Sequence, residues 1–256
     1  MTAASIPVRR PGAAALWMLV VSETKSVARD TAGLIVPLGM PLLILIMSAS
    51  AASQSAGASG LTGLELFVLP LVLTMVMTMI GVVNMPSFLA MYRRMGILRR
   101  LGVTPASPAL VLVAQAIVAV AQAVLGIALA LAVGGLALGA RPPMEPLTVL
   151  GVGALVMAAM CALGMLVAAI APTPNSAVAI GLVLFLGLGA MGGMFGGPDA
   201  LPEPMQDAAP WLPWGAAVDA LANAWAGAPV EPASLLVLGA TVAIGGVVAA
   251  LLFRWE

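Results

Sequence analysis

Four arginines stand within eight positions of one another, Arg93, Arg94, Arg99 and Arg100, between two long apolar runs. Guanidinium groups so gathered can rest on the anionic face of a bilayer, or enter a groove on a soluble partner. Ile97, Leu98 and Leu101 fall among them, so the pattern predicts a short amphipathic helix closed by Gly102 and Pro105. The residue types alone leave both uses open. No other stretch between apolar runs concentrates charge in this way.

Little else in the chain offers reactive chemistry. There is no histidine, which removes the commonest general base and metal ligand and argues against a metalloprotease or a haem-binding bundle. The lone Cys161 cannot form an intrachain disulfide and, set in an apolar run, reads as a small buried residue. No GxxxxGK[ST] loop is present, so nucleotide is not bound by that route. No ionisable residue lies deep in an apolar run, which argues against proton- or sodium-coupled transport, a retinal-type lysine or an intramembrane protease. Energy for any pumping must come from outside the chain.

Two groups of apolar residues are candidates for binding or assembly. Met75 and Met79 share a helical face with Thr78 nearby, whereas Met77 points elsewhere. Flexible thioethers suit varied apolar ligands, so Met75, Thr78 and Met79 are substrate-pathway candidates, with ordinary packing as the alternative. Thr74, Thr78 and Thr241 are expected to bond to their own helix backbones. Gly189, Gly193 and Gly197, overlapped by Gly192 and Gly196, repeat every four residues. Such GxxxG spacing fits a subunit interface or close packing within one subunit.

The elements that carry these residues follow from composition. Hydrophobic residues make up 62% of the 256 positions and charged ones 8%, against about 25% charged in a soluble domain. Charge-free runs predict six transmembrane helices at 33–52, 64–90, 109–138, 147–171, 177–195 and 233–253. The expected fold class is all-α, a polytopic membrane protein whose residues 1–256 form a single transmembrane domain. Residues 9–31 are read as an amphipathic interfacial helix, since Glu23 and Lys25 argue against a cleaved leader. Residues 33–195 hold spans one to five, 196–232 form an external segment and 233–253 are span six.

In that external segment Trp214, Val218, Leu221 and Trp225 share one face of a short amphipathic or re-entrant helix. Trp211, Trp214 and Trp225 are expected at headgroup depth. The layout places nine of the ten basic residues on one side and only Arg141 on the other. The basic side is therefore expected to be cytoplasmic, with both termini there.

Arg93-x-x-Gly96-x-Leu98-Arg99-Arg100-Leu101, followed by Thr104-Pro105-x-Ser107-Pro108, resembles the coupling-helix segment of type-2 ABC transporter permeases. That family includes daunorubicin-type antibiotic exporters and polysaccharide exporters. The six-span layout, the amphipathic N-terminal segment and the stretch from Trp211 to Gly227, similar to the family's outer hairpin region, extend the resemblance over nearly the whole chain. It implies that Arg93, Arg94, Gly96, Leu98, Arg99, Arg100 and Leu101 meet a cytoplasmic ABC ATPase subunit, present in two copies. It also implies a second permease copy or homologue, a bacterial cytoplasmic membrane, and export of a hydrophobic or amphipathic drug, antibiotic or lipid-like molecule. ATP and Mg would then be bound by the partner ATPase, with no catalytic residue, metal or cofactor on this chain and no nucleic-acid partner. A stand-alone secondary transporter or channel, or a non-transporting scaffold, are the alternatives.

Overall fold

A helix that is apolar on every face has to be enclosed by other helices, and the second apolar run supplies such a helix. The computed structural model describes residues 13–52, 61–96, 109–197 and 200–252. Within them lie α1 (Ala13–Arg29), α2 (Thr31–Ala52), α3 (Leu64–Arg94) and α4 (Ala109–Ala132, continued by a π turn Val133–Ala137). These are followed by α5 (Pro146–Ile170), α6 (Pro174–Met191), α7 (Glu203–Ala208), α8 (Pro213–Trp225) and α9 (Pro232–Leu252). Six of them, α2 to α6 and α9, are long and apolar enough to cross a membrane. The protein is an all-α polytopic membrane protein.

Span boundaries match the sequence pattern within a few residues. The largest shifts are at α3, which runs on to Arg94 rather than 90, and at the two ends of α6. Pro174 starts α6 because a proline is tolerated in the first turn, where its missing N–H would have no helical partner. Thr173 and Ser176 close a reciprocal cap there: Ser176 N donates to Thr173 Oγ1 at 3.1 Å and Thr173 N to Ser176 Oγ at 2.9 Å. At the other end Gly193, with φ of 81°, turns the chain away just after Met191.

α3 packs against α2, α4, α5, α6 and α8, and every residue from Val68 to Pro86 is buried. Two π turns interrupt it, Leu64–Val68 and Met79–Asn84. A π turn inserts one residue and widens the helix. At the second one the widened backbone meets glycines on both neighbours. A Cβ on Gly164 of α5 would strike the Gly81 carbonyl, and one on Gly181 of α6 would lie 2.5 Å from the Val82 oxygen. A Cβ on Gly81 itself would come within 2.8 Å of the Met160 carbonyl carbon. Backbones approach this closely only where side chains are absent.

The glycine ridge expected from Gly189, Gly193 and Gly197 does not form. Gly189 lies in α6, but the helix ends at Met191, and Gly193 and Gly197 occupy left-handed turns with φ of 81° and 86°. A spacing of four makes a continuous groove only along an unbroken helix. Gly189 instead lies against Met194 and Trp214, and Gly192 against the Trp214 indole. Both of these contacts lie within the chain.

The placement of the tryptophans is likewise corrected. Trp214 and Trp225 are 0% and 2% exposed, whereas Trp211 is 69% exposed. α8 carries Gly215, Ala216, Ala217, Ala220 and Ala224, which make it slim enough to sink among α3, α5 and α9. Its aromatic face therefore meets protein. Trp214 packs edge-on to Phe185, with ring centroids 5.3 Å apart at 73°.

Because the Gly81 to Gly164 contact has no room for a methyl, Gly164→Ala should destabilise the fold by about 1–3 kcal/mol. Gly151→Ala, where a Cβ meets nothing within 4 Å, should be neutral or stabilising by up to about 1 kcal/mol through helix propensity. Thermal unfolding of the detergent-solubilised variants compares the two directly. Equal behaviour would show that the contact does not hold α3 in place.

Candidate functional site

With 31 residues, α3 is about 46 Å long at the α-helical rise, against about 30 Å of hydrocarbon. Its basic end therefore extends past what a span requires, and α1 covers the extension. Val27 of α1 clusters there with Met85, Phe88, Leu89 and Tyr92 of α3 and with Val111 and Val118 of α4. α1 is amphipathic as expected, and it packs on protein through Val27 and Glu23 while Trp17 and Met18 remain exposed.

Arg93 and Arg94 are the last residues of this long helix and do not belong to a separate short one. No glycine or proline interrupts the chain between Ala90 and Arg94, so nothing stops the helix earlier. Gly96 is the first stop: its φ is 66°, and its N–H donates to Arg93 O at 3.0 Å. A Cβ on Gly96 would meet nothing within 4 Å, so backbone conformation alone calls for glycine there. Leu98, Arg99, Arg100 and Leu101 lie outside the described residues, as do Ile97, Gly102 and the Thr104–Pro108 stretch.

Two consecutive residues fasten the end of α3 to different neighbours. Tyr92 OH donates to Glu23 Oε2 of α1 at 2.5 Å, and both side chains are buried. Burial pushes the Glu23 carboxyl above its ordinary value, while the Tyr92 hydrogen bond opposes the shift. Arg93 reaches the other way. Its guanidinium donates to Ala168 O at 3.1 Å and to Ala171 O, at the C-terminal end of α5. Those carbonyls include orphan acceptors at the negative end of the helix dipole, where a cation is favoured. Arg94 is exposed.

A third fastening lies one α-helical stretch further in. Asn84 Nδ2, at the end of the second π turn, donates to Gly33 O at 2.9 Å and to Gln122 Oε1 at 3.0 Å. Gln122 Nε2 donates to the same Gly33 oxygen at 2.8 Å, and Gly33 N donates to Asp30 Oδ1 at 3.1 Å. A Cβ on Gly33 would lie 2.8 Å from Asn84 Oδ1, so the glycine admits this network. It joins the α1–α2 junction to α3 and α4. Asn84 and Gln122 were not singled out by sequence reasoning. Their signal was available: amides are rare in such apolar runs and need partners there.

Met75, Thr78 and Met79 are packed inside the bundle of this chain. They are at most 2% exposed, and the two methionines pack with Leu71, Phe185, Trp214 and Val218. Met77, on the other face, lines an apolar cavity of about 400 Å³ between α4 and α5. Thr78 and Thr241 bond to Thr74 O and Val237 O as expected, at 2.7 and 2.8 Å, whereas the buried Thr74 Oγ1 makes no hydrogen bond.

A protein-family model described as ABC-2 type transporter matches residues 14–224. No curated protein sequence matches the chain.

Glu23 yields a pH-dependent expectation. Its folded value is raised above the ordinary 4.5, so its favourable contribution is full below that pH and is lost as pH rises through the folded value. Tyr92→Phe removes the donor that opposes the shift and raises the folded value further. The substitution should therefore cost about 1–3 kcal/mol near neutral pH and less in acid. Thermal unfolding of both forms across pH measures this; a penalty that does not change with pH would indicate lost packing alone.

Proposed function

The chain belongs to the ABC-2 type transporter family and is a membrane permease component of an ABC-type transporter; we propose that it serves an ATP-driven exporter of hydrophobic or amphipathic small molecules. The observation that carries this reading is the double fastening at the end of α3. Tyr92 grips α1 and Arg93 grips the end of α5, immediately before the basic segment that begins at residue 97. A push on that segment enters α3, and α3 touches most of the bundle. Movement at one short segment thus reaches several spans at once.

In this reading the pusher is a cytoplasmic ABC ATPase, two copies of which bind ATP and Mg²⁺ beneath the membrane. A second permease copy or a homologue completes the pathway, and cargo leaves between the two halves. Both termini face the cytoplasm of a bacterial cell, across its cytoplasmic membrane. The excess of basic residues at the Arg94 end supports that orientation. The lack of ionisable groups deep in the spans supports an external energy source.

The test is copurification with a P-loop ATPase, followed by ATP-dependent efflux of an amphipathic dye in proteoliposomes. Arg99→Glu should abolish transport while membrane insertion is retained, because it reverses charge in the docking segment. Arg93→Ala should keep the ATPase bound but lower the cargo moved per ATP hydrolysed, because the end of α3 loses its direct hold on the end of α5. Unchanged transport in both variants would remove the coupling role of this end of the molecule.

A further inference from the structure

The cavity beside Met77 has no part in the coupling just described. α4 and α5 both pack on α3 but barely on each other, and the cavity of about 400 Å³ lies in the gap between them. Every lining residue is apolar, among them Leu73 and Met77 of α3, Val124 and Ile127 of α4, and Leu150 of α5. Val120, Val124 and Leu150, at its lips, are exposed and so face the hydrocarbon that surrounds the bundle.

Its dimensions specify an occupant. The lining runs from Val120 to Leu131 on α4 and from Pro146 to Met157 on α5, each about 16 Å at the helical rise. One leaflet of hydrocarbon is half of about 30 Å. The cavity thus spans a single leaflet, from the middle of the bundle to the end opposite Arg94.

At that end a second recess, of about 210 Å³, shares Leu131, Pro143 and Trp225 with the cavity and reaches Arg141. The loop that carries Arg141 is held in place: Arg141 N donates to Glu65 Oε1 at 2.9 Å, and Met144 N to Trp225 O at 3.0 Å. Arg141 is the basic residue at this end among the described residues. A guanidinium has five N–H donors and accommodates a phosphate beside its other acceptors.

We propose that this cleft is a binding site for a bilayer glycerophospholipid, with one acyl chain in the cavity between α4 and α5 and its phosphate beside Arg141. The lipid fills the space that α4 and α5 leave between them. It is a resident of the membrane and not the transported molecule. The site requires neither ATP nor a second subunit.

The test uses the full-length chain in liposomes containing phosphatidylglycerol with a diazirine in one acyl chain. After illumination, labelled peptides are mapped by mass spectrometry. Label should concentrate on Val120–Leu131 and Pro146–Met157, well above the level on the exposed α9 face around Leu236 and Val247. Gly153 lines the cavity, and a Cβ there meets nothing within 4 Å, so Gly153→Phe should fill the space without disturbing the backbone. It should lower cavity labelling severalfold and leave the α9 label unchanged; Gly153→Leu is the milder variant should the phenylalanine impair folding. Even labelling of all exposed spans, or cavity labelling indifferent to both substitutions, would overturn the proposal. So would displacement of the cavity label by ethidium, which would mark a cargo site.

Discussion

The close backbone contact between the π turn Met79–Asn84 and the glycines of α5 and α6 is the constraint on which the rest of the structure depends. An apolar helix in lipid gains little from burial as such, since lipid tails are as apolar as leucine. What holds α3 at the centre is dispersion and shape, which act only at short range. Gly81, Gly164 and Gly181 bring three backbones within that range. The π turn supplies the extra width that makes the fit. Once α3 is fixed, α2, α4 and α8 have a surface to pack on, and Trp214 has a slot against Phe185.

From that centre the polar fastenings at the basic end acquire direction. Asn84 and Gln122 join α3 to α4 and to the start of α2, while Tyr92 and Arg93 join it to α1 and α5. Each uses a group whose partner must be buried with it, because an unpartnered polar atom in such surroundings is costly. The end of α3 is therefore bound on two sides, and Gly96 then turns the chain toward the basic segment. A permease driven from outside needs this kind of stiff connection between a surface segment and its spans.

Spans three and four are the exception to this tight packing. Both lean on α3 without closing on each other, and Leu73 and Met77 form the floor of the gap. Gly153 and Ala154 widen it on the α5 side. Residues on the two faces of α3 thus serve different ends: Met75 and Met79 fill the core against Trp214, whereas Met77 faces a space that lipid can enter.

The six spans, the amphipathic N-terminal helix and the basic segment were legible from the sequence, because long charge-free runs, helical periodicity and charge clustering are local properties of a chain. Family membership was legible for the same reason, through the order of residues from Arg93 to Pro108. Which glycines touch was not. Gly189, Gly193 and Gly197 carry the familiar spacing, yet the close backbone contacts between spans belong to Gly81, Gly164 and Gly181, one from each of three helices. The tryptophans of α8 could be placed only by tertiary structure as well, since an apolar face fits lipid headgroups and a protein core equally until its neighbours are known. Spacing along a chain describes one helix at a time, and the partners of Asn84, Tyr92 and Arg93 are set by how several helices meet.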